Sequence, residues 1–231
     1  ILPEEDELDK IFPKNFVVYK PKDIVSGDFY WARKFNNLHL IVCADCTGHG
    51  VPGAFMSMIG MMLLYEACVL KNILDPGEIL MDIDNSLKEI LRQNDDFESN
   101  KDGMDLSLCI VDVDSNKMYT AGAMRPIYVY RQGMQHIIKG DRFSLGGTIV
   151  KNKIFNTREY DLMKDDLVYM FSDGYADQFG GPNKRKMKVL KLNELLDQVS
   201  QLDISKQGKE IDSFFESWKG RHFSKNVEHI G

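Results

Sequence analysis

The pattern of apolar and polar residues predicts strands and helices that occur in separate blocks along the chain. Near the N-terminus, runs rich in β-forming residues predict strands over residues 16–19 and 29–33. Residues 38–44 form a nearly continuous apolar run, which is typical of a strand buried on both faces. Further strands are predicted over residues 106–113, 117–123, 127–131, 136–139 and 167–171.

Helical spacing occurs twice before this block of strands and twice after it. One helix begins near Pro52, and the next begins at Asp75, which can cap it while Glu78 stands at the capping-box position. The apolar positions of the first helix, which we expect to face the core, are Phe55, Met58, Ile59, Met62, Leu63, Ala67 and Leu70. Two late helices are predicted near residues 193–202 and 206–218. This order predicts sheets enclosed between helical layers.

Composition and charge narrow the class of protein. The chain has 231 residues and is 43% hydrophobic, which suffices for one sizeable core. A formal net charge of −6 argues against a general nucleic-acid or membrane-surface binder. We find no signal peptide and no uninterrupted apolar run of about 18 residues. We therefore expect a cytoplasmic domain without membrane contact of its own, or the cytoplasmic part of a membrane-anchored sensor.

The cysteines contain one pattern with chemical meaning. Cys43 and Cys46 form a C-x-x-C, which would suit a redox pair or half of a zinc site. No second pair completes a zinc tetrad, and Cys43 continues the apolar run of a predicted strand. The sequence favours buried structural thiols, with a redox or zinc module as a distant alternative.

Acidic residues stand at the ends of apolar strands, where a carboxylate is costly unless a partner compensates it. Asp45 and Asp173 each end such a run beside glycine-containing turns, and Asp28 precedes an early strand. If these carboxylates converge, they would suit Mg²⁺ or Mn²⁺, which prefer oxygen ligands. The alternative is that they are ordinary turn residues.

Longer strings carry a family resemblance. VSGDFYW at residues 25–31 and ADCTGHGVPGAFMSMIG at residues 44–60 closely resemble the SpoIIE/RsbU branch of the PPM, or protein phosphatase 2C-like, serine/threonine phosphatases. DGMDLSLCIVD, AGAMRPIYVYR, SLGG and FSDGYADQFGG follow in the same order. The resemblance implies an α+β fold of two packed antiparallel β-sheets flanked by helices. It divides the chain into an N-terminal linker or regulatory arm, residues 1–12, and a phosphatase domain, residues 13–231.

The same resemblance implies a two-metal site for Mn²⁺ or Mg²⁺ at one end of the sandwich. Asp45 would bridge both ions, and the backbone carbonyl of Cys46 would join the second. Asp173 would ligate the first ion, and Asp28 would act mainly through metal-bound water. Two such ions would activate a water molecule directly, so no cysteine nucleophile is needed.

Three other residues have a functional and a structural interpretation. His49 could protonate the leaving hydroxyl, since histidine can hold a proton near neutral pH, or it could be a turn histidine. Arg125 could bind the phosphoryl group through its planar fork or form a structural salt bridge. Asp105 could contribute to an accessory metal or simply end a strand.

The C-terminal tail departs from the family pattern. Where the family has a ligating aspartate in a Gln-x-Asp-Asp string, the nearest alignment places Glu228, with His229 beside it. Most of the family's final strand would be missing, so we expect a truncated domain with one weak metal position. Glu228 would then be a substitute ligand, one methylene longer than aspartate.

The expected function is dephosphorylation of phosphoserine or phosphothreonine on a small bacterial regulatory protein, such as a STAS-type anti-sigma-factor antagonist. Expected partners are that phosphoprotein, an upstream sensor domain and a second copy of the chain, but not nucleic acid. The alternative is a catalytically weak pseudophosphatase that serves as a phosphoprotein-binding module.

Overall fold

The chain forms four layers in the computed structural model, which describes residues 2–3, 5–93, 101–147, 150 and 152–220. The helices are α1 Glu5–Ile11, α2 Gly50–Tyr65, α3 Pro76–Ile90, α4 Gly174–Asp177, α5 Lys188–Val199 and α6 Ile204–Lys219. The longer strands are β1 Phe29–Phe35, β2 Leu38–Cys46, β3 Gly103–Asp112, β4 Lys117–Ala123, β5 Ile127–Arg131 and β6 Met134–Ile138. Shorter strands are β7 Leu145–Gly146, β8 Arg158–Asp161, β9 Leu167–Tyr169, β10 Phe179–Gly180 and β11 Arg185–Lys186.

The strands form two main sheets with antiparallel pairing throughout. The larger sheet has the order β1-β2-β3-β4-β8, with β7 beside β3, and the smaller sheet has the order β6-β5-β9. Strands β10 and β11 pair separately as a short hairpin. This arrangement confirms the α+β class with two antiparallel sheets.

Three apolar clusters hold the layers together. The first packs α2 and α3 on the larger sheet and includes Leu40, Val42, Leu64, Ile83 and Leu108. The second joins the two sheets through Cys109, Met118, Ile127 and Val129. The third packs α5 and α6 on the smaller sheet and includes Tyr128, Tyr130, Leu196, Val199 and Ile211. Strand β5 serves two clusters because alternate side chains point to opposite faces of a strand.

Helix α2 and the turn after it bury only part of the predicted face: Leu63 and Ala67 lie in the core as expected. Phe55, Met58, Met62 and Leu70 are exposed, so the prediction that they fill the core is wrong. The buried face consists of Gly53, Met56, Ser57, Gly60, Leu63 and Leu64. The helix is apolar on nearly every side, so periodicity alone does not identify the face that meets the sheet.

With the π-helical turn Glu66–Leu70, α2 is long and apolar enough to cross a membrane by length and composition. That criterion is weak for a single helix, since the core helix of a folded domain also meets it. Here the helix contacts the larger sheet and α3, and its buried face belongs to the first apolar cluster.

The N-terminal segment contacts the body of the fold. Leu8 of α1 is buried, and the Tyr30 hydroxyl donates a hydrogen bond of 3.1 Å to the carbonyl of Pro3. The predicted strand over residues 16–19 is wrong, because these residues pair with no other strand. Phe16 instead packs on Tyr169 and lies against Gly208 of α6, so its apolar character serves tertiary packing.

The β10–β11 hairpin rests on the end of α6. A Cβ added to Gly181 would lie 2.7 Å from the Trp218 ring, and the Trp218 indole donates a hydrogen bond of 3.0 Å to the carbonyl of Gln178. Gly180 and Gly181 therefore permit a close contact that larger residues would prevent. The contact fixes the chain that follows α4.

Candidate active site

The site begins with two carboxylates on neighbouring strands. In the β2–β3 ladder, Asp45 lies directly opposite Asp105. Asp105 lies on the same face of β3 as Cys109 and Val111, which pack in the cluster between the sheets, so this pair of aspartates lies on the face between the sheets. Like charges directly opposite each other destabilise a sheet unless a cation lies between them. This pair therefore requires a positive partner.

Two further carboxylates join this pair from neighbouring elements. Asp28 immediately precedes β1, whose first residue Phe29 pairs with Ala44. Asp173 follows β9 and stands at the N-cap position of α4 without a side-chain capping bond, and its backbone N–H donates a hydrogen bond of 3.3 Å to Asp45 Oδ2. The structure thus brings Asp28, Asp45 and Asp173 to one end of the space between the sheets, together with Asp105.

Arg125 lies among these carboxylates. Its Nη2 atom donates hydrogen bonds of 2.6 Å to Asp45 Oδ2 and 2.7 Å to Asp173 Oδ2, and lies 3.4 Å from Asp105 Oδ2. The turn between β4 and β5 that presents it is tight, since a Cβ on Gly122 would lie 2.3 Å from the Arg125 carbonyl oxygen. Met124 in this turn has a φ of 62°.

One guanidinium does not compensate the whole cluster. Burial first, and then repulsion from Asp28 and Asp173, raise the pKa of Asp45 to about 7, although Arg125 and the Asp173 amide oppose the rise. The pKa of Asp45 is raised although the Arg125 guanidinium lies 2.6 Å away, so one guanidinium offsets only part of the burial and like-charge repulsion. The acidic cluster therefore keeps negative charge that a divalent cation could neutralise.

The donor set fits a hard divalent cation. Four carboxylates supply oxygen atoms, which Mg²⁺ and Mn²⁺ prefer. Within the described ranges, however, no three His, Cys, Asp or Glu side chains form a group that could hold a metal. Arg125 lies between Asp45 and Asp173, and its Nη2 contacts one oxygen atom of each carboxylate.

Close backbone packing places the Cys46 carbonyl beside this cluster. A Cβ on Gly27 would lie 3.0 Å from the Cys46 oxygen and 2.8 Å from the Gly48 oxygen. The Cys46 side chain is buried in the first apolar cluster, on the opposite face from Asp45. Only the backbone of Cys46 is therefore available to a metal. Glu228 and His229 lie outside the residues that the structure describes.

The thiols of the C-x-x-C are unsuited to nucleophilic chemistry. Burial, followed by the charges of Asp28 and Asp45, raises the pKa of Cys43 to about 12. Burial also raises the pKa of Cys46 well above its ordinary value. The thiolate is the reactive form of cysteine, so neither residue is activated.

His49 lies at the edge of the site, at the N-cap of α2. Its side chain is exposed, and its Nδ1 atom is 3.6 Å from Asp23 Oδ2. This places the imidazole near the loop before β1, and its role as a proton donor stays a prediction.

Two serines that the sequence interpretation left without a role orient the carboxylates. Ser172 Oγ donates a hydrogen bond of 2.5 Å to Asp28 Oδ2, and Ser144 Oγ donates one of 2.5 Å to Asp105 Oδ1. Both lie in strings that carried the family resemblance, FSDG and SLGG. Their position in those strings was the available signal, but their partners depend on the tertiary fold.

The chain is similar to known proteins in sequence and in fold. The family described as Stage II sporulation protein E (SpoIIE) matches residues 37–221. The SiaA-PP2C domain of Pseudomonas aeruginosa is 26% identical, with a TM-score of 0.84 over 97% of this chain and 87% of that chain. No curated protein matches the chain.

Two more distant structures share the fold. The PP2C phosphatase domain of SpoIIE from Bacillus subtilis, solved with a fragment of its regulatory domain, is 19% identical with a TM-score of 0.64. The RsbU and RsbW domains of Rv1364c from Mycobacterium tuberculosis give 17% identity and a TM-score of 0.62. Each match covers 84% of this chain, which spans about half of those chains, 54% and 50%. The chain belongs to the SpoIIE family of PP2C-like serine/threonine phosphatases.

Proposed function

We propose that this domain is a Mn²⁺- or Mg²⁺-dependent phosphatase that acts on phosphoserine or phosphothreonine in a small bacterial regulatory protein. The convergence of Asp28, Asp45, Asp105 and Asp173 at one end of the two sheets carries the proposal. Carboxylates directly opposite each other on β2 and β3 are costly for folding alone, so they favour a site built for cations.

Each residue has a distinct part in the proposed reaction. Asp45 and Asp173 would hold the ions, with the Cys46 carbonyl and Asp28 completing the oxygen ligands. When bound, such ions activate water for attack and neutralise charge on the phosphoryl oxygens. Arg125 would orient the phosphoryl group through its planar donors, and His49 at the edge would give a proton to the leaving serine or threonine oxygen.

The comparisons support a regulatory phosphoprotein as substrate. A structural match contains RsbU and RsbW domains together, and another, with a TM-score of 0.52, belongs to the bacterial stressosome. We infer that a STAS-type switch protein is the substrate, with an upstream sensor controlling the domain. With such partners, we propose that the reaction takes place in the cytoplasm.

A phosphate-release assay tests the proposal. The wild-type domain should release phosphate from a phosphoserine-containing STAS protein with Mn²⁺ and should stop when EDTA is added. Asp45→Asn should reduce the rate by at least about 100-fold while the circular dichroism spectrum is unchanged. A wild-type rate that is indifferent to EDTA would contradict metal dependence.

A second candidate is a pseudophosphatase that binds a phosphoprotein without turnover. The observation that favours it is the Arg125 guanidinium between Asp45 and Asp173, where it partly compensates the acidic cluster. A stable complex with the phosphorylated protein, without phosphate release in saturating Mn²⁺, would support this candidate.

A further inference from the structure

We propose that Arg125 is the internal counter-cation of the acidic cluster, and that a divalent cation reaches Asp45 and Asp173 by displacing its guanidinium. The inference rests on the proposed metal dependence and adds a competition step to it. Its consequence is that the arginine suggested for phosphoryl binding lowers the affinity of the site for metal.

The arginine occupies one oxygen atom of each of two carboxylates, Asp45 and Asp173, that a cation could use. Asp45 Oδ2 accepts hydrogen bonds from Arg125 Nη2 at 2.6 Å and from the Asp173 backbone N–H at 3.3 Å. Asp173 Oδ2 accepts from the same Nη2 atom at 2.7 Å. A carboxylate oxygen has two lone pairs, so these bonds occupy the positions through which Asp45 Oδ2 would ligate a metal.

Charge makes the competition obligatory. The guanidinium stays protonated at any pH that the fold tolerates, so Arg125 cannot make way for a cation by losing its charge. Two positive groups cannot share one oxygen atom without repulsion, and the partly buried setting screens that repulsion poorly. A cation that binds through the Oδ2 atoms of Asp45 and Asp173 therefore displaces the guanidinium.

Arg125 is held in a way that allows this movement. Among the described residues, Arg125 donates its side-chain hydrogen bonds through Nη2, and its buried Nε has no partner. Arg158, in contrast, donates from both terminal nitrogens to Asp141: Nη2 to Oδ1 at 2.8 Å and Nη1 to Oδ2 at 3.3 Å. Arg125 therefore lacks the bidentate geometry that makes an arginine–carboxylate pair strong, and it keeps an unsatisfied donor.

Freed from the carboxylates, the same guanidinium becomes available to a phosphoryl group. In the structure its Nη2 atom bonds Asp45 and Asp173. Substrate binding by Arg125 then requires the cation first, so the two roles follow one another rather than coexist.

Titration calorimetry with Mn²⁺, without substrate, tests the inference. Arg125→Gln should bind Mn²⁺ about fivefold to tenfold more tightly than wild type, because the competing cation is gone. The metal-free variant should also melt at a lower temperature, because the carboxylates lose their counter-charge. Arg125→Lys keeps a charge but loses the planar fork, so its affinity should lie between the two, and it replaces the glutamine variant if that variant does not fold.

Arg131→Gln is the matched control, since it removes a bidentate arginine–aspartate pair, Arg131–Asp166, outside the cluster. It should lower the melting temperature and leave the Mn²⁺ dissociation constant unchanged. As a second readout, the Arg125 side-chain signals in NMR spectra should shift when diamagnetic Mg²⁺ is added.

The outcomes separate this inference from the proposed function. If wild type binds Mn²⁺, Asp45→Asn does not, and Arg125→Gln binds no more tightly than wild type, metal dependence stands and the competition is refuted. If neither wild type nor Arg125→Gln binds Mn²⁺, both ideas fail. If only Arg125→Gln binds, the arginine blocks the site outright and the competition is supported.

Discussion

The Ser172 hydroxyl donates a hydrogen bond of 2.5 Å to Asp28 Oδ2, although the two residues are 144 positions apart in the chain. The bond ties the segment before β1, on the larger sheet, to the segment after β9, on the smaller one. It therefore fixes the end of the sandwich at which the carboxylates meet. It also holds one Asp28 carboxylate oxygen close to the residue that precedes Asp173.

Removing this bond should affect catalysis more than stability. Ser172→Ala frees Asp28 to rotate, and the loss of one hydrogen bond of about 1 kcal/mol corresponds to a rate reduction of about fivefold. Phosphate release and thermal melting measure the two effects. Ser200→Ala, which removes an exposed bond to the Asp197 carbonyl, is the control and should leave the rate unchanged. Equal rates for Ser172→Ala and wild type would show that Asp28 needs no such support.

The glycine contact beside the Cys46 carbonyl gives a second prediction. In Gly27→Ala the new Cβ would lie 2.8 Å from the Gly48 oxygen, a backbone atom, so the loop after β2 has to shift. We expect a rate reduced by about tenfold or more and a stability loss of about 1–3 kcal/mol. Ser200→Ala, which removes only an exposed hydrogen bond, is again the comparison and should leave both quantities unchanged. Unchanged Mn²⁺-dependent activity in Gly27→Ala would contradict the close packing.

Stability at acid pH should depend on Asp166. Its burial raises its pKa, but hydrogen bonds from Arg131 and the Met163 N–H outweigh burial, so the net pKa lies below the ordinary 3.8. The carboxylate thus stabilises the fold above pH 3.8, and this contribution disappears as the pH falls through the lowered pKa. Asp166→Asn should cost about 2–4 kcal/mol at pH 7.

The difference between wild type and Asp166→Asn should narrow as the pH falls below 3.8, which urea unfolding at several pH values would measure. Asp6→Asn, which alters an exposed pair with Lys10, should be near neutral throughout. A gap between wild type and Asp166→Asn that stays constant down to pH 3 would argue against a lowered pKa.

Thiol reagents should leave the native enzyme active. Burial raises the pKa of Cys43 to about 12, and it also raises those of Cys46 and Cys109, so the reactive thiolate is scarce at neutral pH. Iodoacetamide treatment of folded protein should therefore preserve phosphate release, and mass spectrometry should show unmodified Cys43 and Cys46. Inactivation that tracks the alkylation of Cys43 would favour the redox interpretation of the C-x-x-C.

Local pattern predicted those elements whose burial is simple. The bounds of β4 and β5 follow from the sequence, and Asp75 caps α3 by accepting a hydrogen bond from the Glu78 N–H at 3.0 Å. The pattern of apolar and polar residues did not predict every strand. Strand β8 was missed because its residues, Arg158–Asp161, are mainly polar and lie at the edge of a sheet.

The candidate site was predicted in part. The motif strings identified Asp28, Asp45 and Asp173, and the fold brings all three together. The contact of Arg125 with Asp45 spans 80 positions and depends on how the turn after β4 meets the end of β2. Long-range contacts of this kind follow from the packing of the two sheets, which no local spacing encodes.

The packing of Trp218 on the β10–β11 hairpin gives the molecule an optical probe of its own. The chain has two tryptophans, and the other, Trp31, is buried in β1. In a Trp31→Phe protein, indole emission would come from Trp218 alone, whose ring touches Gly181 and whose N–H meets the Gln178 carbonyl. Gln178 stands at the C-cap position of α4, and Asp173 of the acidic cluster stands at its N-cap position. The wavelength of the Trp218 emission would therefore report movements at the acidic end of the sandwich without any attached dye.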